Sequence, residues 1–381
     1  MSEHAALAWQ GNAFWRTDRG RLLLVLALIA LVTTVAAAIV VTGEARRTAP
    51  RFSPAPVFPG LEAKLGDATI ITVASPEGRI EVRRADGGQW VVPAASNYPA
   101  HLETVRKMLL GLASIKAVEA RTARHDWLAT LDLIAPGEGG KATEIRVSDA
   151  KGTLIAGLLV GKLRPAGGLT GEDAFYVRRA EEDQSYLAEG DLPLDVTRGS
   201  WLDPTIVELP RERVFRVTLT PTAGPSFSIS RTNAQVENFA VDTMPKGRSM
   251  VSETAANPIG AALSDFTLED VRPRVDVDFA KAARAVFETF DGLVVTVEAA
   301  DAKDEHWVRL LATAKPPSAQ AATAKPANAK TPDVAAEAKE MNARVGAWAY
   351  KVAEWKAALF SRSLGSLLAE PAKDSEPSKP Q

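Results

Sequence analysis

The chain has 381 residues, 46% of them hydrophobic and 24% charged, with a formal net charge of −2 and no cysteine. That balance excludes the basic footprint of a nucleic-acid-binding protein. The lack of cysteine excludes disulfides, thiol chemistry and cysteine-ligated zinc.

From the N-terminus, residues 1–21 form a short polar tail. Residues 22–43, Leu22 to Gly43, then run without a single charge. A helix of that length spans about 33 Å, enough for a bilayer core of about 30 Å. The run exceeds the apolar core of a cleaved leader, about 7–15 residues, although Ala36-Ala37-Ala38 has the small residues of a cleavage site. It predicts an uncleaved transmembrane helix. Arg16, Arg19 and Arg21 precede it and Arg46, Arg47 and Arg51 follow, so the positive-inside count is a tie. The short polar tail places the N-terminus in the cytoplasm, with the bulk of the chain on the extracytoplasmic side of a bacterial inner membrane. Residues 44–66, with Pro50, Pro54, Pro56 and Pro59, read as an extended Pro-rich stalk.

Two similar units follow, residues 67–209 and 210–360. In the first, Thr69–Val73, Ile80–Arg83 and Gln89–Val92 alternate or cluster as strands around turns at Pro76-Glu77-Gly78 and Gly87-Gly88. A helix opens with Pro99 in its first turn and carries Leu102, Val105, Leu109 and Leu112 at helical steps. Strands are predicted at Glu144–Val147, Thr153–Val160 and Phe175–Arg178. The second unit repeats the meander at Phe215–Leu219, Phe227–Ser230 and Asn238–Val241. A weak helix over Ser252–Leu263, an edge-type strand at Val271–Phe279 containing Pro273, and strands at Leu293–Val297 and His306–Leu311 come next. Residues 314–333 are Ala, Lys, Pro and Thr and predict a disordered excursion. Met341, Val345, Trp348, Val352, Trp355 and Leu359 then step by four and three, predicting one helix of about six turns. Its stripe either docks on the second sheet or offers a seam to a partner. Residues 361–381 read as a polar tail. The fold class is therefore α+β: a single N-terminal transmembrane helix, then two repeated units of antiparallel, one-sided sheet with packed helices.

Catalytic spacing is not evident. His4, His101, His125 and His306 do not pair at metal-ligand spacing. Pro136–Lys141 resembles a phosphate loop but lacks its first glycine, and Ala142 stands where a Ser or Thr would bind magnesium. Asp276 and Asp278 fall on one face of the strand predicted there, together with Arg272 and Arg274, which favours a charge-paired face over an active site. No G-x-S-x-G occurs. The sequence predicts no catalytic residue, no cofactor and no metal site. Trp127, Trp201 and Trp307 are candidates for a sugar-binding surface or for packing.

The order of features resembles the bacterial domain-of-unknown-function 4340 family. The resemblance rests on the anchor, the meander Arg79–Val92, His125-Asp126-Trp127 with Leu131-Asp132-Leu133, Leu159–Lys162, Phe175–Arg178, Ser200-Trp201-Leu202-Asp203 before Ile206 and Leu209, and the closing segment with Trp348 and Tyr350. It implies a membrane-anchored protein, often encoded beside ABC-type transport components similar to the gliding-motility auxiliary protein. It implies no catalytic residues. The expected function is thus a non-enzymatic accessory component of an envelope ABC-type transport system. Its partners would be transporter subunits met through sheet edges or through Trp348 and Trp355. The alternative is an extracytoplasmic module binding glycan, peptide or lipid in a groove between the units, with Trp127 or Trp201 exposed in it. The accessory reading expects those two rings buried. An enzyme is the third reading and would need a cleft of convergent ionisable groups.

Overall fold

The computed structural model describes residues 25–26, 28–37, 52–164, 174–302, 304–316 and 333–370. Of the predicted membrane span, residues 25–26 and 28–37 are helical and exposed, and the remainder of 22–43 lies outside the described residues. Thr33 and Thr34 donate their hydroxyls back to Ile29 and Ala30 carbonyls, so neither needs water. Among the described residues no helix is long and apolar enough to cross a membrane. The predicted N-terminal tail and most of the 314–333 excursion also fall outside the described residues.

The body begins inside the predicted stalk. Residues 55–66 are folded, because Val57 and Leu61 are apolar and find a core, at 2% and 4% exposure. β1 (Ala55–Pro56) lies against the first sheet, which contains β2 (Ile70–Ser75), β3 (Gly78–Arg84), β4 (Trp90–Val92) and β5 (Tyr98–Pro99). After α1 (Leu102–Ser114) come β6 (Lys116–Ala120), the short α2 (His125–Leu128), β7 (Thr143–Ser148), β8 (Leu154–Arg164), β9 (Ala174–Arg179) and β10 (Ser185–Glu189). The strand order is β1-β6-β10-β9-β8-β7-β2-β3-β4-β5, antiparallel at every pairing. Pro99 belongs to β5, not to the first turn of α1. The helix buries Val105, Met108 and Leu112, while Leu102 stays half exposed.

The second sheet follows the linking strand β11 (Thr205–Val207). It contains β12 (Val214–Thr220), β13 (Phe227–Ser230) and β14 (Ala240–Val241). Then come α3 (Asn257–Gly260), β15 (Phe266–Thr267), β16 (Asp270–Pro273), β17 (Ala283–Thr289), β18 (Leu293–Ala302) and β19 (Glu305–Ala314). α4 (Val334–Val345), β20 (Trp348–Lys351) and α5 (Glu354–Ser361) complete it. Its order is β14-β13-β12-β17-β18-β19-β20-β16, while β11 pairs with β15. Read from β4 to β6, the first sheet runs β4-β3-β2-β7-β8-β9-β10-β6. The two orders match strand for strand, including the β6 or β16 edge that returns beside the last meander strand. The described residues from Ala55 onward form one compact unit.

Four expectations are corrected. The helix over Ser252–Leu263 shrinks to Asn257–Gly260, because Pro258 suits only a first turn. The strand Val271–Phe279 ends at Pro273, which cannot donate to a ladder, and Arg274–Asp276 form a 3-10 turn. Asp276 and Asp278 are therefore not on a strand face, and Asp278 accepts the Ala280 N–H at 2.8 Å instead. The single closing helix is a helix, a strand and a second helix. At Trp348–Lys351, pairing with both β16 and β19 outweighs the helical register. Finally, the polar tail is folded as far as Ala369. Leu367 is 1% exposed, and Ala369 N–H donates to Ser249 at 2.9 Å.

The first sheet is not one-sided. Residues 125–142 lie over β8 and β9, where Leu128, Leu133, Ala142 and Leu159 make a small separate core. This brings together residues far apart in sequence. Gly161 lies against the Leu131 carbonyl so closely that a Cβ there would come within 2.1 Å of it. The buried Arg178 donates Nε to the Leu133 carbonyl at 2.9 Å and Nη1 to that of Glu182 at 3.1 Å.

All four outer sheet edges are short. Three of them, β1, β5 and β16, contain a proline, which cannot donate a ladder bond. The expected strand-addition surfaces are thus poorly suited to that use.

Arg178→Met would leave these carbonyls unpaired in a dry place, a loss of about 3 kcal/mol. Arg106→Met, on the exposed face of α1, should cost about 0.5 kcal/mol or less. Urea unfolding of the full-length protein in mild detergent reads both.

Candidate functional site

Residues 195–209 join the two sheets, and the sequence places a tryptophan at their centre. Trp201 is fully buried and donates its indole N–H to the Asp195 carbonyl at 2.7 Å. Its own carbonyl accepts the His101 N–H at 2.8 Å, Leu202 bridges to Ala100, and Asp203 N–H donates to Pro99 at 3.0 Å. Further on, Leu268 N–H donates to Pro204 and Leu209 N–H to Leu263. Arg198 forks onto Asp270 at the start of β16, with Nε to Oδ1 at 2.9 Å. It also donates Nη1 to the Ala94 carbonyl at 3.0 Å. The joint thus hydrogen-bonds to both sheets.

Beside it is an aromatic group that spans the two sheets. Trp348 meets Tyr98 edge-on, with ring centres 5.2 Å apart, and Tyr350 meets the same ring at 6.1 Å. Burial first, and the Asp203 carboxylate second, push the Tyr98 phenol up to about 12. Burial raises Tyr350 further still. Both hydroxyls therefore stay protonated at any physiological pH and serve packing.

The four tryptophans singled out from sequence lie on four different elements. Trp201 is buried in the joint. Trp348 is half-buried on β20. Trp127, on α2, is 53% exposed, with the Arg124 guanidinium 5.4 Å from its ring. Trp355, on α5, is 65% exposed, with the Lys356 ammonium 5.3 Å from its ring. The opposed expectations for Trp127 and Trp201 therefore split, one ring out and one in. Trp307 is also buried, under the Arg272 guanidinium at 4.6 Å. Pro136–Glu138 make a 3-10 turn and Ala142 is in the small core, so this stretch is a packed turn. His101 caps α1 within 2.9 Å of Thr104, His125 lies 3.4 Å from Asp183, and His306 is 2.7 Å from Asp301. His4 lies outside the described residues. Among the described residues no group of three or more His, Asp or Glu is placed to hold a metal ion.

A concavity missed in the sequence lies on the second sheet. It is a groove of about 390 Å³ where β17, β18 and β19 run past α5. Its floor is alanine: Ala283 and Ala299, paired across β17 and β18, with Ala357 and Ala358 from the helix. Its rim carries His306 and Asp301, paired across β18 and β19, together with Lys281 and Glu354. Four alanines where two strands and a helix meet were the available signal, since small side chains at a packing face leave space.

The architecture is that of a two-sheet α+β protein in which one strand order occurs twice about a central joint. A family profile described as Domain of unknown function (DUF4340) matches residues 90–285, from β4 through the joint into β17. The chain belongs to this family. No curated protein and no solved structure matches it.

Trp201→Ala should destabilise the protein by about 4 kcal/mol through the cavity it opens. Trp355→Ala should change stability by about 0.5 kcal/mol or less. Guanidinium unfolding followed by far-UV dichroism separates the two.

A second test of the joint uses pH. The Ser200 hydroxyl, then Thr197, hold the Asp195 carboxyl below the usual carboxylate range. A carboxylate lowered on folding adds stability above its unfolded pKa of about 3.9, lost as pH falls through the folded value. Asp195→Asn should therefore be less stable at pH 7 and show a flatter fall in melting temperature between about pH 4 and pH 2.

Proposed function

We propose that this protein is a non-enzymatic, single-pass protein of the bacterial inner membrane, its body extracytoplasmic, acting as an accessory component of an ABC-type transport system. The observation that carries the location is the uncharged run Leu22–Gly43, long enough to span a bilayer. Support comes from the exposed apolar helix at residues 28–37, whose threonine hydroxyls are satisfied within the helix. The transport association follows from the family by analogy, since function belongs to sites rather than folds.

With the sheet edges short and three of the four proline-bearing, a partner contact falls to a helix surface. Trp355 with Lys356 on α5 offers an aromatic anchor beside a cation, of the kind that dominates interface energies. Trp348 is withdrawn as a contact, because its ring packs on Tyr98. Ligand binding is the second reading, favoured by the open groove beside α5.

The test is co-purification from native membranes with tagged full-length protein in mild detergent. Wild type should recover ABC transporter subunits. Trp355→Glu should lose at least about tenfold of them, equivalent to about 1.4 kcal/mol. A folded wild type that recovers no transport component sinks the proposal.

A further inference from the structure

We infer that the groove beside α5 is a binding site for a small zwitterion, an amino acid or short peptide that offers both a free ammonium and a free carboxylate. The inference rests on the ligand-binding reading and names its chemistry.

The groove exists because of an element that only the second sheet has. β20 is the last strand with a counterpart in the first sheet, and α5 follows it. The helix packs across β12, β17, β18 and β19. Phe360 anchors it edge-on against Phe266 at 5.3 Å and Phe287 at 6.1 Å. One turn earlier the contact face changes to Ala357, and the strands opposite present Ala283 and Ala299. Large side chains fix the helix at one end and small ones leave the hollow at the other. At about 390 Å³ it falls within the range of small-ligand sites, about 300–1,000 Å³.

Glu354, Ala357, Ala358 and Ser361 follow the i, i+3, i+4, i+7 spacing of one helix face, so acid and hydroxyl flank the alanine floor. Thr222 and Lys281 also line it. Among the described residues the Lys281 ammonium, the Glu354 carboxylate and the Thr222 and Ser361 hydroxyls have no hydrogen-bond or ion-pair partner. His306 does: its Nδ1 lies 2.7 Å from Asp301 Oδ1.

The rim thus holds the Lys281 cation and two carboxylates, Glu354 and Asp301, the second shared with His306. Lys281 suits a ligand carboxylate as a point charge, and the acceptors suit an ammonium with its three donors. No Phe, Tyr or Trp ring lines the groove, so a sugar face lacks the usual stacking platform. Its apolar part is four methyl groups, too little to hold an acyl chain against its loss of freedom.

The test is isothermal titration of full-length protein in mild detergent. The probes are alanyl-alanine, its N-acetylated and C-amidated forms, a neutral disaccharide and a short-chain fatty acid. The free dipeptide should bind saturably, and capping either end should weaken it at least tenfold. Lys281→Glu and Glu354→Gln are exposed changes that should keep the wild-type melting temperature while each weakens the dipeptide at least tenfold. Equal binding of the capped forms, or dipeptide binding that neither variant alters, overturns the inference. Binding of the disaccharide or fatty acid alone overturns the zwitterion and leaves a binding module standing. No binding by any probe overturns both.

Discussion

Residues 195–209 have to satisfy hydrogen bonds in two sheets at once, and they do so around one buried indole. Trp201 faces inward and gives its N–H to Asp195, while its backbone carbonyl takes the N–H of His101 at the entrance to α1. Four residues on, the same stretch feeds β11 into pairing with β15. Arg198 crosses between Ala94 and Asp270 with one planar group, a task its rigid fork performs with little loss of freedom. The Gly199 backbone approaches Glu269 so closely that a Cβ would come within 2.4 Å of its carbonyl. These contacts are short range and mutually dependent. The fixed geometry of the joint is what lets Tyr98 of one sheet meet Trp348 and Tyr350 of the other.

Around that joint the chain uses one topology twice and completes it differently each time. In the first sheet, residues 125–142 cover an outer face, with Gly161 and Arg178 fitted to the carbonyls of that excursion. In the second, the added mass is α4, β20 and α5. α4 is tied down by Asn342, whose side chain both accepts from and donates to Ala312 on β19, at 2.8 and 2.7 Å. Arg213 holds the start of α4 through Glu337 while also pairing Asp291. The groove beside α5 follows from this difference, since nothing after β10 repeats that helix.

Much of this was legible from residue patterns. The meanders at 69–92 and 215–241 follow from β-branched runs, alternation and glycine turns, and α1 from its 3.6-residue period. The α+β class and the doubling of the unit came from the same signals. What could not be read was decided by tertiary partners. Trp348–Lys351 continues a helical stripe along the chain, and only the places beside β16 and β19 make it a strand. β10 and β17 gave no clear signal, because their alternation is diluted by alanine and charge. The family stretches around Trp127, Leu131, Gly161 and Arg178 look unrelated along the chain, yet they meet in one small core. Candidate tryptophans were visible as residues, but their burial was not, because an indole suits a core and a surface equally well. The groove was the least legible, since an alanine in sequence does not announce that its neighbours across the sheet are also small.

The proline-bearing sheet edges have a consequence for how such a protein lives. Under the proposed membrane anchor, copies of the chain would be confined to two dimensions, where neighbours collide at high effective concentration. Two ten- and eight-stranded sheets under those conditions would invite lateral polymerisation, each edge templating the next. Pro56, Pro99 and Pro273, each at an edge, deny it a continuous row of donors. At three of the four outer edges, then, a neighbouring strand would meet an interrupted row of donors.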